Sequence, residues 1–401
     1  MACNGWMSML LGEVIDIKHG YAFEGRYFSD EPPGDVLLTP GNFAIGGGFK
    51  ADKFKYYNGP IPEDFVLAEG DLIVTMTDLS KQADTLGYPA LIPRSDGPRF
   101  LHNQRLGKIV IHDDRLDKEF LYYVLCSNRY RNEVLASATG TTVKHTSPNR
   151  IKAFRFAAPP LEEQRAIARV LGTLDDKIEL NRRMNETLEA MAQALFKFSF
   201  VDATRNGLPE RWHERTLVEE FDITMGQSPP GESYNETGDG LPFFQGRSDF
   251  GFRYPKLRVF CTSPTRLAKA GDTLVSVRAP VGSMNIAAEA SCVGRGVAAV
   301  CHKTGFRSYT YYLIKSLQSE FERFEAEGTV FGSINKADFG KIGCVAPPFE
   351  VIEAYENLVA PIDQRIENNE RESRTLAALR EALLPKLLSG KVCVRALTKR
   401  V

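Results

Sequence analysis

The residues best placed to do chemistry are Pro347-Pro348-Phe349, which carry the letters of the loop that amino-methyltransferases close around a flipped DNA base. Such a loop needs Asp, Asn or Ser ahead of the prolines to hold the base's amino group, and an aromatic ring to stack on it. Ala346 precedes this triplet and Ala158 precedes Pro159-Pro160, so neither can hold an amino group. Ser228-Pro229-Pro230 starts suitably but continues into Gly231 and offers no ring. Gly294-x-Gly296-x-x-Ala299 has the letters of a cofactor loop, yet the "VAAVCH" around its end reads as a strand where a helix is required. There is no G-x-x-x-x-G-K-[ST] phosphate loop, no nucleophile elbow and no H-E-x-x-H. Asp71 and Asp272 each follow a glycine at a strand entrance and read as turn formers. The sequence presents no active site, and its expected function is noncatalytic.

The elements that carry these residues come from an ordinary globular composition. The 401 residues are 43% hydrophobic and 25% charged with a formal net charge of −1, enough chain for two or more domains. A balance so close to neutral argues against a nonspecific coat for nucleic acid. No apolar run approaches the roughly 18 residues of a membrane span, and "MACNGWMSMLLGEV" lacks the basic and long apolar regions of a signal peptide, so a cytoplasmic location is expected. The seven cysteines include no C-x-x-C and the six histidines are scattered, which predicts neither disulfides nor a metal site.

The chain repeats itself. Trp6 and Trp212 are 212 − 6 = 206 residues apart, and the same offset pairs Leu11 with Leu217, Asp16 with Asp222, Ile17 with Ile223 and Gly20 with Gly226. "GDLIVTM" from Gly70 returns as "GDTLVSV" from Gly271 at 201, and Gly140-Thr141 returns as Gly328-Thr329 at 188. The last offset then holds along "APPLEEQRAIARVLGTLDDKIELN" and "APPFEVIEAYENLVAPIDQRIENN". Insertions therefore fall inside a globular head of each copy, while a rod of constant length follows it.

Each rod starts at a Pro-Pro, where the second proline suits the first helical position, and acidic residues follow at the positive end of the helix dipole. Ile167, Leu171, Leu174, Ile178, Leu188, Met191, Leu195 and Phe198 recur at three-four spacing, as do Tyr355, Val359, Ile362, Ile366, Leu376, Leu379 and Leu383. Two matching seams predict an antiparallel helix pair with pseudo-twofold symmetry. A twofold axis at Asn181 and Asn369 would pair Ile167 with Leu383, Leu171 with Leu379, Leu174 with Leu376, Met184 with Ile366 and Leu188 with Ile362. The heads mix short β-type runs with one helical stretch each, so the expected class is α+β: two similar heads joined by two long helices.

This pattern resembles the DNA-specificity subunits of type I restriction–modification systems. The resemblance rests on Pro159-Pro160-Leu161-Glu162-Glu163-Gln164-x-x-Ile167, on Asp175-Asp176-x-Ile178, on Gly5-Trp6, Gly70-Asp71-Leu72-Ile73 and Gly271-Asp272, and on the closing "LLPKLLSGKV". The second copy departs from it, with Phe349-Glu350-Val351-Ile352 where Leu-Glu-x-Gln is usual. The resemblance implies target-recognition domains at 1–157 and 204–345, and spacer helices at 158–203 and, with a tail, at 346–401. Each domain would read half of a split double-stranded DNA target. Two modification subunits would clamp the helices and hold S-adenosylmethionine, and restriction subunits that act as motors would cleave; this chain would need no cofactor. An assembly adaptor whose heads bind protein is the alternative.

Base reading asks for side chains that form paired bonds to base edges from loops on a rigid scaffold. In the first head the candidates are Thr75, Thr77, Lys81, His102, Asn103, Gln104, Arg105, Lys144 and His145. In the second they are Gln245, Arg247, Arg278, Arg295, Asn335 and Lys336.

Overall fold

The structure is a computed structural model that describes residues 5–80, 82–326 and 332–394. It divides into two compact units, residues 1–176 with 376–401 and residues 177–375. Each unit thus combines one head with a stretch of both long helices, where the sequence boundaries had set heads and helices apart.

The first head is built on a four-stranded antiparallel sheet ordered Ile15–His19, Leu106–Ile111, Leu72–Thr75, Pro89–Leu91. A five-stranded sheet follows the order Phe28–Ser29, Lys55–Tyr57, Asp35–Leu37, Phe100–Leu101, Val66–Leu67, with one parallel pair, Asp35–Leu37 beside Phe100–Leu101. The second head repeats both. Its four strands run Phe221–Met225, Val297–His302, Thr273–Ser276, Met284–Ile286, and its five-stranded sheet again has one parallel pair, Leu241–Phe244 beside Ser291–Val293. A shared strand order is what a duplicated α+β unit requires; the offset of 206 falls on the edge strands Ile15–His19 and Phe221–Met225, and that of 201 on the central strands Leu72–Thr75 and Thr273–Ser276.

Buried aliphatic faces fix these sheets. Leu72 and Val74 sit with Phe120, Leu121 and Phe154 in the first core, and Val275, Ala298 and Val300 with Tyr309, Leu313 and Phe339 in the second. Asp71 and Asp272 form the expected turns, accepting the amides of Ala68 at 2.8 Å and Lys269 at 2.7 Å.

The long helices span Leu161–Phe196 and Phe349–Leu388, about 54 and 60 Å at 1.5 Å per residue. Pro160 and Pro348 carbonyls accept the first helical amides, as the Pro-Pro signal predicts. Within the first unit, Ile167 and Leu171 join Leu387 in the core, with Leu383 packed against it. Within the second unit the helices run antiparallel: Asn181 lies against Ser373, Asn185 against Asn369, and Ala192 against Tyr355.

The register differs from the expected one by about one turn. Asn181 and Asn369 are both buried, and Asn181 Nδ2 donates to the Asn369 carbonyl at 3.4 Å. Their side chains nevertheless take other partners, Ser373 Oγ at 3.2 Å and Asn185 Oδ1 at 2.8 Å. These two contacts exchange under the 188-residue offset, since 181 + 188 = 369 and 185 + 188 = 373, so the local twofold relation holds about a point two residues further along. Leu379, expected opposite Leu171, is 45% exposed, and the expected seam residues Met191 and Phe198 are also exposed.

Candidate nucleic-acid interface

One residue in each head gathers the candidate segments. Met76 donates its amide to the Arg105 carbonyl at 2.9 Å, and its own carbonyl accepts the Thr146 amide at 3.0 Å. Val277, 201 residues on, donates to the Gly296 carbonyl at 2.9 Å and accepts the Ile334 amide at 3.0 Å. The central strand's continuation is thereby tied to a turn on one side and a distal segment on the other. Beside it, Thr77–Asp78 pairs with Lys144–His145, and Arg278 forms an isolated bridge with Ser333.

Glycines admit the turn to this frame. A Cβ on Gly20 would lie 2.2 Å from the Asn103 carbonyl oxygen, and one on Gly226 would lie 2.1 Å from that of Gly294. No side chain fits there, which accounts for the Gly20–Gly226 match.

The first-head clusters Thr75/Thr77, Asn103–Arg105 and Lys144–His145 are thus brought onto adjacent segments. In the second head Gln245 joins through its carbonyl, which accepts the Gly296 amide at 3.1 Å, and Arg247 follows two residues later. Gln104, Arg105, His145, Gln245, Arg247, Arg278, Arg295 and Lys336 are exposed, with Asn103 and Lys144 half-buried. Arg295 is steadied by Ser228, whose Oγ accepts its Nε–H at 3.2 Å.

Four candidates have structural work instead. Thr75 is fully buried and its hydroxyl donates to the Thr85 carbonyl. Thr77 is buried and lies 3.2 Å from His145 Nδ1, bracing that ring. Asn335 caps the helix Lys336–Lys341 by accepting the Asp338 amide at 3.0 Å. His102 is buried, its Nε2 bonded to the Leu106 carbonyl at 3.0 Å. Lys81 lies outside the described residues. For Thr75 and Asn335 the cause is that threonine and asparagine bond to nearby backbone as readily as to a ligand.

Asp78, absent from the sequence candidates, holds the loop beside this frame. Its carboxylate accepts the amides of Ser80 and Thr85 and the Thr85 hydroxyl at 2.5–2.7 Å. Burial alone would raise its pKa, but these hydrogen bonds outweigh burial and hold it below the usual carboxylate value.

Burial pushes His102 and His302, one in each head, down to about 4. Both are neutral in the folded state near neutral pH, and His302 Nδ1 accepts the Thr304 amide at 3.2 Å. The unfolded chain binds protons at these residues from about pH 6.5 downward, while the folded chain does so only near pH 4. Stability should therefore fall as pH drops through that window, by up to about 3 kcal/mol per histidine. Melting the wild type and the double variant His102→Gln/His302→Gln between pH 7 and 4.5 checks this: the variant should show the shallower slope.

The heads are fastened to the helices by polar side chains, among them Gln164 and Asp175 of the two motif segments. Gln164, buried at the start of the first helix, accepts the Asp117 amide at 2.9 Å and donates to the Arg115 and Pro159 carbonyls, each at 2.8 Å. Asp117 in turn caps the helix Lys118–Leu125. In the second copy Ile352 replaces this glutamine, and Glu356 takes over, accepting the amides of Arg307, Ser308 and Tyr309 at the start of the helix Arg307–Ser316. The departure from Leu-Glu-x-Gln is thus an exchange of one hinge device for another. Gln164→Ala should cost about 1–3 kcal/mol, because it strands buried backbone groups; urea unfolding of the full chain measures it.

Further along, Asp175 accepts the Tyr123 hydroxyl at 2.7 Å and Arg380 at 2.5 Å. Its counterpart at 175 + 188, Asp363, receives Arg253 at 2.9 Å. Arg253 is fully buried, also binds Glu189 and the Tyr312 hydroxyl, and lies 4.1 Å over the Tyr311 ring. Lys315 pairs with the remaining oxygen of Glu189. Burial raises the Glu189 pKa, yet Arg253 and Lys315 outweigh it and hold the carboxyl ionised below its usual range.

Among the described residues no cluster could hold a metal ion and no helix is long and apolar enough to cross a membrane. Residues 4–190 match the model of the type I restriction modification DNA specificity domain. A putative type I restriction enzyme specificity subunit, MjaX, of Methanocaldococcus jannaschii is 31% identical over 318 residues, 74% of each chain. A putative type I specificity subunit of Mycoplasma genitalium is 24% identical over 393 residues, 95% of this chain and 93% of that one. The crystal structure of the type I restriction–modification S subunit from M. genitalium shares the fold, at 20% identity with a TM-score of 0.62 over 96% of both chains. With a repeated α+β head, two long helices and these relatives, the chain belongs to the specificity subunits of type I restriction–modification systems.

Proposed function

We infer that this chain is the noncatalytic, sequence-reading subunit of a type I complex, in which each head reads one half of a bipartite double-stranded DNA target. One observation carries this reading: the two heads present the same backbone frame with different side chains. Around equivalent residues Met76 and Val277, the first head offers Gln104, Arg105 and His145 and the second offers Arg278, Arg295 and Ser333. A constant frame with variable long polar side chains suits two different base sequences.

The long helices set the separation of the half-sites and dock two modification subunits. Apolar side chains left exposed on them, including Leu180, Met191, Leu358 and Leu379, support a protein-binding role. S-adenosylmethionine is held by the modification subunits, and restriction subunits with motor activity complete the assembly, which works in the cytoplasm. Mobility shift with pools of random duplexes, with and without a modification subunit, tests the reading. Bipartite sequences should be enriched; a chain that binds the subunit but enriches no sequence is an adaptor.

A further inference from the structure

The internal repeat matches one rung of backbone pairing in each head. In the first head Thr77 stands across from His145, and in the second Arg278 stands across from Ser333. These residues correspond, since 77 + 201 = 278 and 145 + 188 = 333. The backbone beside each rung is bonded alike: the Thr146 amide donates to the Met76 carbonyl, and the Ile334 amide to the Val277 carbonyl, both at 3.0 Å. Side chains on this rung therefore start from equivalent points in the two heads.

What differs is the strand that carries the long side chain. In the first head it is the distal segment, where His145 is exposed and Thr77 lies buried across from it. In the second it is the continuation of the central strand, where Arg278 is exposed across from the short Ser333. Each rung thus sets one long nitrogen-bearing side chain against one short hydroxyl residue, in opposite order. The chemistry presented also differs. Thr77 Oγ1 lies 3.2 Å from His145 Nδ1 and engages that ring nitrogen, which leaves Nε2 as the single atom to meet a ligand. The His145 backbone is held as well, exchanging hydrogen bonds with Thr139 at 2.8 and 3.0 Å. Arg278 has no ion pair or side-chain hydrogen bond among the described residues, so both prongs of its guanidinium are open.

We propose that this rung determines one base of each half-site, read by His145 through one atom in the first head and by Arg278 through a bidentate contact to guanine in the second, with Thr77 as the positioning residue of His145. The proposal rests on base reading by the heads. A guanidinium spans O6 and N7 of guanine, whereas one ring nitrogen makes one bond and discriminates less. The reader is set by the pair of residues on the rung rather than by either strand, so exchanging both residues exchanges the reading.

The test presents full chains, bound to modification subunits, with duplexes randomised in both half-sites. His145→Ala and Thr77→Val should each lose discrimination several-fold at the same single position of one half-site, and Thr77→Ser, which keeps the hydroxyl, should retain it. Arg278→Ala should remove a preference for guanine of about fivefold to over a hundredfold at one position of the other half-site. The exchange Thr77→Arg/His145→Ser should create a guanine preference of that size at the position His145 had read, with the remaining bases of the half-site unchanged and the thermal unfolding transition retained. Loss at many positions or at none in His145→Ala, wild-type behaviour of Thr77→Val, or a folded exchange variant that selects the original base would overturn the proposal. Where the exchange variant does not fold, the single substitutions decide. A wild-type chain that enriches no bipartite sequence overturns the base-reading role beneath the proposal, whereas an enriching wild type with unmoved variants overturns the proposal alone.

Discussion

Arg253→Ala is expected to be among the most destabilising single substitutions in the second unit. It leaves Glu189 and Asp363 without their shared counter-charge in a site where Arg253 is fully buried. Removing one partner of a buried ionic cluster costs about 3–5 kcal/mol, because the remaining charges stay desolvated. For a unit of about 200 residues this corresponds to a fall in Tm of roughly 6–20 °C. Neutralising the partners as well, in Arg253→Ala/Glu189→Gln/Asp363→Asn, should recover part of the loss. Differential scanning calorimetry of the full chain reads both effects, and a loss below about 1 kcal/mol would place the guanidinium in water rather than in the core.

Arg278→Ala should relax sequence preference in one half-site only. Arg278 is exposed at the frame built on Val277 and is the position equivalent to Thr77 in the first head. Loss of a bidentate contact to a base costs about 1–3 kcal/mol, which is about fivefold to over a hundredfold in affinity for the cognate base. Binding to duplexes varied at each position separates the outcomes. A uniform weakening across all sequences would make Arg278 a phosphate contact.

The repeat, the α+β class and the two helices were legible because periodicity and matched offsets report which faces are apolar. Register was harder to read. A seam with apolar residues at three-four spacing looks nearly the same after a slip of one turn, so the pairings drawn through Asn181 and Asn369 fit the pattern as well as those observed. The discriminating contacts are polar: Asn185 with Asn369, Asn181 with Ser373, and Asp175 with Arg380.

Among the interface candidates, long exposed side chains such as Gln104, Arg105 and Arg295 could be picked by chemistry alone. Thr75, Thr77 and Asn335 could not be told from them, since a short polar side chain is equally suited to a ligand and to its own backbone. Arg253 and Glu189 escaped notice for the opposite reason. An arginine in "FGFRYPK" and a glutamate in a charged helix both read as solvated, and only the fold places them together in the core.

The central claim is that the heads read DNA while the helices set the distance between the two readings. Four residues inserted after Arg183 and four after Arg371, positions equivalent at the 188-residue offset, keep the flanking contacts paired and add about 6 Å to each helix. Selection of bound duplexes from a library with randomised half-sites and spacers should then return the same two half-sites separated by about one to two more base pairs, at about 3.4 Å per base pair. An unchanged spacer with binding intact, or a change in the bases selected, would contradict the claim.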